Sequence, residues 1–110
     1  MTAEGEAARL LPHLLEQCRE LRAAYGHPVE TPISVYETDD DLATLRPEDR
    51  GRWTAAFHRE VMECIARRLR LHGHRVRLIP LDAASYLRWL AETKQKNTPA
   101  TRAQFIGLQA

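Results

Sequence analysis

The side chains with the most concentrated chemistry in this chain are arginines. Between Cys64 and Leu81 stand Arg67, Arg68, Arg70, Arg75 and Arg77, with His72 and His74 among them and no acid. A guanidinium stays charged at every ordinary pH and presents a fork of donors that matches carboxylates and phosphates, so a cluster of them points to an acidic partner and not to a reaction. Arg88, Lys94, Lys96 and Arg102 carry the same charge on toward the C-terminus. Residues 1–64 hold 7 Arg or Lys against 13 Asp or Glu, whereas residues 65–110 hold 9 against 2, so the formal net charge of +1 hides an acidic half and a basic half. Such segregation favours an acidic protein surface, a nucleic acid or a second copy of the same chain as partner.

Carboxylates form the second group. Glu37, Asp39, Asp40 and Asp41 follow one predicted strand and Asp82 follows another. Parallel pairing of those strands would bring the acids to one edge, where open α/β sheets bind ligands and where carboxylate oxygens suit Mg²⁺. The simpler reading makes Asp82 and one of Asp39 to Asp41 helix caps, and it is preferred because caps are expected at such positions. A zinc-binding HExxH around His58 would need a histidine at position 62, which is Met62, and His72 with His74 lacks a nearby third ligand. No GxSxG, P-loop or GxGxxG occurs. The chain is therefore expected to be no enzyme and to use no metal or cofactor.

The elements that must position these groups follow from apolar spacing. Trp53, Ala56, Phe57, Val61, Cys64, Ile65 and Leu69 recur at steps of three and four, which predicts a core helix over 47–71, with Pro47 at its first position and Gly73 as its stop. Leu10, Leu11, Leu14, Leu15, Cys18, Leu21 and Tyr25 mark an earlier amphipathic helix, in which Pro12 requires a start near Leu11 or a kink. Ile33 to Glu37 and Arg75 to Leu81 alternate as strands do. Asp39 or Asp40 could cap a single turn over 42–45. Asp82 caps a helix from about Ala83 to Thr93, and Thr98 with Pro99 begins a last one.

A strand, a long helix and a strand imply a parallel pair with a crossover connection. The expected fold is thus α+β and mostly helical, in the order α-β-α-β-α-α, with a small, two-stranded parallel sheet covered on one face by helices. At about 37 Å the core helix would overhang its strands, which favours a homodimer that covers the overhang and the open sheet edges.

One domain spanning 1–110 suffices for this length. No apolar run could span a membrane, and the acidic N-terminus does not resemble a signal peptide, so a cytoplasmic location with Cys18 and Cys64 as buried free thiols is expected. The two C-terminal helices, joined by Lys94 to Asn97, have helix-turn-helix spacing, and Thr98, Thr101, Arg102 and Gln104 are types that contact phosphates or bases. The run Tyr86-Leu87-Arg88-Trp89-Leu90 with Thr98 resembles the helical DNA-clamping segment of tyrosine recombinases over less than a quarter of the chain. The functional expectation is a non-enzymatic interaction module that binds an acidic protein surface or itself through Arg67, Arg68, Arg70, Arg75, Arg77, Arg88, Lys94, Lys96 and Arg102. Nucleic-acid binding by the same basic half is the alternative, and a metal-dependent enzyme using the strand-end acids is a distant third.

Overall fold

Thr2, the acids Glu4 and Glu6 and the leucine stripe start the first element in a computed structural model that describes residues 2–49 and 51–109. Helix α1 spans Ala3–Tyr25; the Thr2 hydroxyl accepts from the Gly5 N–H at 3.0 Å, and Gly26, at φ 73°, ends the helix in the left-handed region that glycine tolerates. Pro12 lies inside this one helix, so of the two expectations, a start near Leu11 or an earlier turn from Ala3 kinked at Pro12, the first gives way to a helix that begins at Ala3 and does without one main-chain donor. Cys18 is buried, Leu10, Leu11, Leu14 and Leu15 are partly buried, and the stripe runs out into solvent at Tyr25, which is 62% exposed.

Strand β1 covers Glu30–Val35, a few residues ahead of the predicted Ile33 to Glu37. The acidic run after it becomes a helix of its own, α2 (Asp39–Leu45). Its cap is not an aspartate but Thr38, whose hydroxyl accepts from the Asp41 N–H at 3.1 Å. The helix expected from Pro47 is shorter than its stripe implied. Pro47–Asp49 makes a 3-10 turn, Gly51 takes φ 74°, and α3 runs Ala55–Leu71 with Thr54 as its cap, accepting from the Phe57 N–H at 3.0 Å. Seventeen residues reach about 25 Å, close to the roughly 20 Å of a six-residue strand, so the predicted overhang largely disappears and with it one reason for a dimer.

Helix α3 ends as its sequence indicates. Gly73 at φ 86° lets its own N–H reach the Arg70 carbonyl and the His74 N–H reach that of Leu69, at 3.0 and 3.1 Å. Strand β2 (Arg75–Pro80), helix α4 (Ala83–Thr93) and helix α5 (Pro99–Gln109) follow. β1 and β2 pair in parallel from Glu30 beside Arg75 to Val35 beside Pro80. The predicted α-β-α-β-α-α order and mostly helical α+β class are what the chain adopts, with α2 as a short addition.

Two clusters of buried side chains hold the elements together. Ile33, Val35 and Val76 join Cys18 of α1 and Val61, Cys64, Ile65 and Leu69 of α3 on one face of the sheet. Tyr36, Ile79 and Leu81, at the carboxyl ends of the strands, join Leu42, Leu45, Tyr86, Leu90, Phe105 and Ile106 in the second. Helices thus cover one whole face of the sheet and the far end of the other. No described helix is long and apolar enough to cross a membrane. Ile65, with no exposed surface, sits at the centre of the first cluster, and Ile65→Ala should cost about 2–5 kcal/mol in urea denaturation. The loss should exceed that for Phe57→Ala, because Phe57 is only partly buried.

Candidate functional site

The nine cations expected to form one surface divide into two sets. Arg67 and Arg68 reach the Glu4 carboxylate at 3.3 and 3.0 Å, and Arg70 donates to the Val76 carbonyl at 2.9 Å. The Cys64 thiol, and after it Arg68, hold the Glu4 carboxyl below its ordinary range, while burial and that same contact push the thiol up. Arg102 leaves the surface altogether: it is 5% exposed, donates to the Leu45 carbonyl at 2.7 Å and to Asn97 Oδ1 at 2.9 Å, and pairs with Glu48 at 2.9 Å. This corrects its place among the binding residues. The cause is the orientation of α5, which turns Thr101, Arg102, Phe105 and Ile106 inward.

The same orientation removes most of the expected nucleic-acid contacts from α5. Thr101 is buried, where its hydroxyl meets that of Tyr86 at 3.0 Å, and the Thr98 hydroxyl caps the helix by accepting from the Thr101 N–H at 3.1 Å. Tyr86 is itself fully buried and donates to Asn97 Oδ1 at 2.8 Å, while Asn97 donates to the Leu45 carbonyl at 2.8 Å. The segment that resembles a DNA clamp therefore turns its tyrosine to the interior. Sequence reasoning read Lys94 to Asn97 only as the break that joins two helices at helix-turn-helix spacing. Beyond the Thr98-Pro99 start, which it did read, the signal it passed over is that Asn97 and Thr101 flank that start with side-chain oxygens engaged there.

The second set is Arg75, Arg77, Arg88, Lys94 and Lys96. All are exposed, and none forms an ion pair with the described residues. Alternation along β2 puts Arg75 and Arg77 on the face that also carries Ile79, in the stretch that precedes the second cluster. Beside them in the register lie Glu30 and Pro32 of β1. This is the candidate site: an uncovered strand face, basic at its centre.

Two of the five acids at the strand ends are occupied at helix starts. Asp39 accepts from the Ala55 N–H at 2.7 Å, and Asp82 accepts from the Ser85 hydroxyl at 2.7 Å, a bond that lowers its pKa. Among the described residues no three His, Cys, Asp or Glu side chains gather so as to hold a metal ion. His74 is disfavoured as a cation by burial and by the nearby Arg19 and Arg22.

Behind the site lies a buried histidine whose position on the stripe margin gave no sign of its burial. His58 has no exposed surface and no hydrogen-bond partner at either ring nitrogen among the described residues. It stands edge-on to Tyr36 at 5.3 Å and beside Trp53 at 5.9 Å. Burial, and then the Arg46 charge, lower its pKa to about 4. Between pH 6.5 and that value the unfolded chain takes up a proton that the folded chain refuses, so stability falls on acidification. Going from pH 7 to pH 5 should cost about 2 kcal/mol in denaturation experiments, ahead of the range in which Glu4 and Asp82 titrate, and His58→Leu should abolish most of that slope. A flat wild-type profile would put His58 in contact with water. Arg102→Met, which removes the buried donor that the Leu45 carbonyl shares with Asn97 and leaves the half-exposed Glu48 to water, should cost about 1–2 kcal/mol by the same measurement.

No protein-family model matches the chain, and no curated protein matches it.

Proposed function

We propose that this chain is a non-enzymatic interaction module that docks an acidic protein surface on the open face of β2, through Arg75 and Arg77, with Arg88, Lys94 and Lys96 extending the contact. The observation that carries this reading is the division of the basic half. Arg67, Arg68, Arg70 and Arg102 are all committed to partners within the fold, whereas these five cations are exposed and have no ion pair among the described residues. Arg75 and Arg77, like charges two residues apart on one strand face, repel one another and do nothing for the fold, so their exposure there is accounted for by something outside it. Nucleic acid is the weaker reading, because Thr101 and Arg102 point inward.

The test is a double substitution, Arg75→Gln with Arg77→Gln, measured against the protein partner recovered by co-purification from the native host. Binding should weaken by roughly tenfold or more, while stability changes by about 0.5 kcal/mol or less per site. A nucleic-acid partner would instead show a slope of log affinity against log salt that drops by about 0.7–0.9 for each lost phosphate contact. Unchanged binding with a collapsed melting temperature would make these arginines structural. Sedimentation of wild type at low and high salt separates self-association from binding to another protein.

A further inference from the structure

The two edges of the sheet are treated differently. On the β2 side, Arg70 occupies the Val76 carbonyl and Pro80 contributes no N–H. On the β1 side Pro32 likewise contributes no N–H, but among the described residues no hydrogen bond is made to the carbonyls of Glu30, Pro32 or Ser34. Two adjoining cavities of about 850 and 280 Å³ share Gln17, Pro32 and Ala103, and between them they touch every residue from Val29 to Ser34 and none of β2. They therefore follow the side of β1 that β2 leaves free, with α1 as one wall and α5 as the other.

The floor of this groove is main chain. The Leu81 N–H donates to the Val35 carbonyl at 2.9 Å, so alternation turns the carbonyls of Glu30, Pro32 and Ser34 toward the groove. A row of main-chain acceptors at strand spacing is matched by the N–H groups of another extended chain, the mode of recognition in which a peptide adds a strand to a sheet. The walls suit its side chains: Leu14 and Leu21 stand on α1, and α5 offers Ala100, Ala103 and Gly107, where even an added Cβ would meet nothing within 4 Å. Glu20 and Glu30 line the end where β1 begins, and neither has an ion pair among the described residues. The complement to that end is a cation. A second folded copy cannot reach the floor with its own β1, because its α1 and α5 flank that strand on both sides.

We infer that the groove between α1 and α5 binds an extended peptide segment of another protein, which adds to β1 as a third strand. Alternate apolar side chains of the segment lie against the two helices, and a Lys or Arg near one end meets Glu20 and Glu30. This site adjoins the basic face of β2 across the Glu30–Arg75 and Pro32–Arg77 pairs and takes the opposite charge.

The experiment selects a displayed library of random ten-residue peptides against the full chain and titrates the enriched peptides, labelled with fluorescein, into wild type and variants. Enriched sequences should alternate apolar residues and carry Lys or Arg toward one end, and the amide signals of Glu30, Thr31, Ile33 and Ser34 should shift on binding. Ala103→Trp, placed where the two cavities meet, should weaken binding at least tenfold with an unchanged melting temperature; Gly107→Leu, built into open space, serves as a second filler should the tryptophan disturb the fold. Glu20→Gln with Glu30→Gln should weaken binding several-fold. Arg75→Gln with Arg77→Gln should leave it alone, which keeps this result distinct from that for the basic face. The absence of any enriched peptide, or enriched peptides that bind both filled variants as tightly as wild type, would overturn the inference. A loss that follows the arginine substitutions instead would overturn it as well.

Discussion

A ladder of six parallel residue pairs has no standing of its own in water, and the placement of every helix answers to that constraint. Parallel strands cannot be joined by a tight turn, so the chain between them must cross over the sheet, and α3 is that crossover. Once α3 lies on the Ile33 and Val76 face, α1 finds its leucines a partner on α3 rather than on the strands. The far end of the opposite face is closed by α4 and α5, brought there by Leu81, Tyr86 and Phe105. The result is a slab about as thin as its layers allow, 35 × 35 × 18 Å.

The opposite charges of the two halves of the sequence are spent unevenly. Glu4 with Arg67 and Arg68 joins α1 to α3 at the surface, where water and salt leave such pairs little to contribute. Arg102 with Glu48 is different in kind, because its guanidinium also satisfies the Leu45 carbonyl at the end of α2 and lies away from water. Asn97 shares that carbonyl, and the Tyr86 hydroxyl shares Asn97, so α2, α4 and α5 meet in one network of polar groups. Networks of this kind hold geometry more than they add stability, since each member would be costly if left alone.

Periodicity made the elements legible: the alternation of Val76 with Arg75 and Arg77, the Gly73 stop, the Asp82 cap and the Thr98-Pro99 start stand as they read, whereas Ala56 of the α3 stripe is exposed and Tyr36 beyond β1 is buried. What periodicity could not show is where a stripe stops being helix. Trp53 continues the apolar spacing into a loop, where it packs against both clusters without belonging to α3, and only the Thr54 cap and the left-handed Gly51 mark the break. The site was legible as composition and not as position. Nine cations read alike in sequence, yet Arg102 faces inward and Arg75 outward, because burial depends on which side of α5 meets the rest of the fold. His58 was hidden for the same reason, and the trough beside β1 arises from two helices 74 residues or more apart at their nearest ends, which no local pattern encodes.

The pairing of Glu30 with Arg75 also sets an order of events on the ribosome. β1 leaves the exit tunnel with no strand to meet and must wait for some 45 further residues before its ladder can close. During that interval α1 and α3 can already associate, since helical contacts form faster than distant strand pairs and need no partner yet to be made. Pro32 leaves that waiting edge one donor short, so what it offers a neighbouring nascent chain is chiefly its carbonyls.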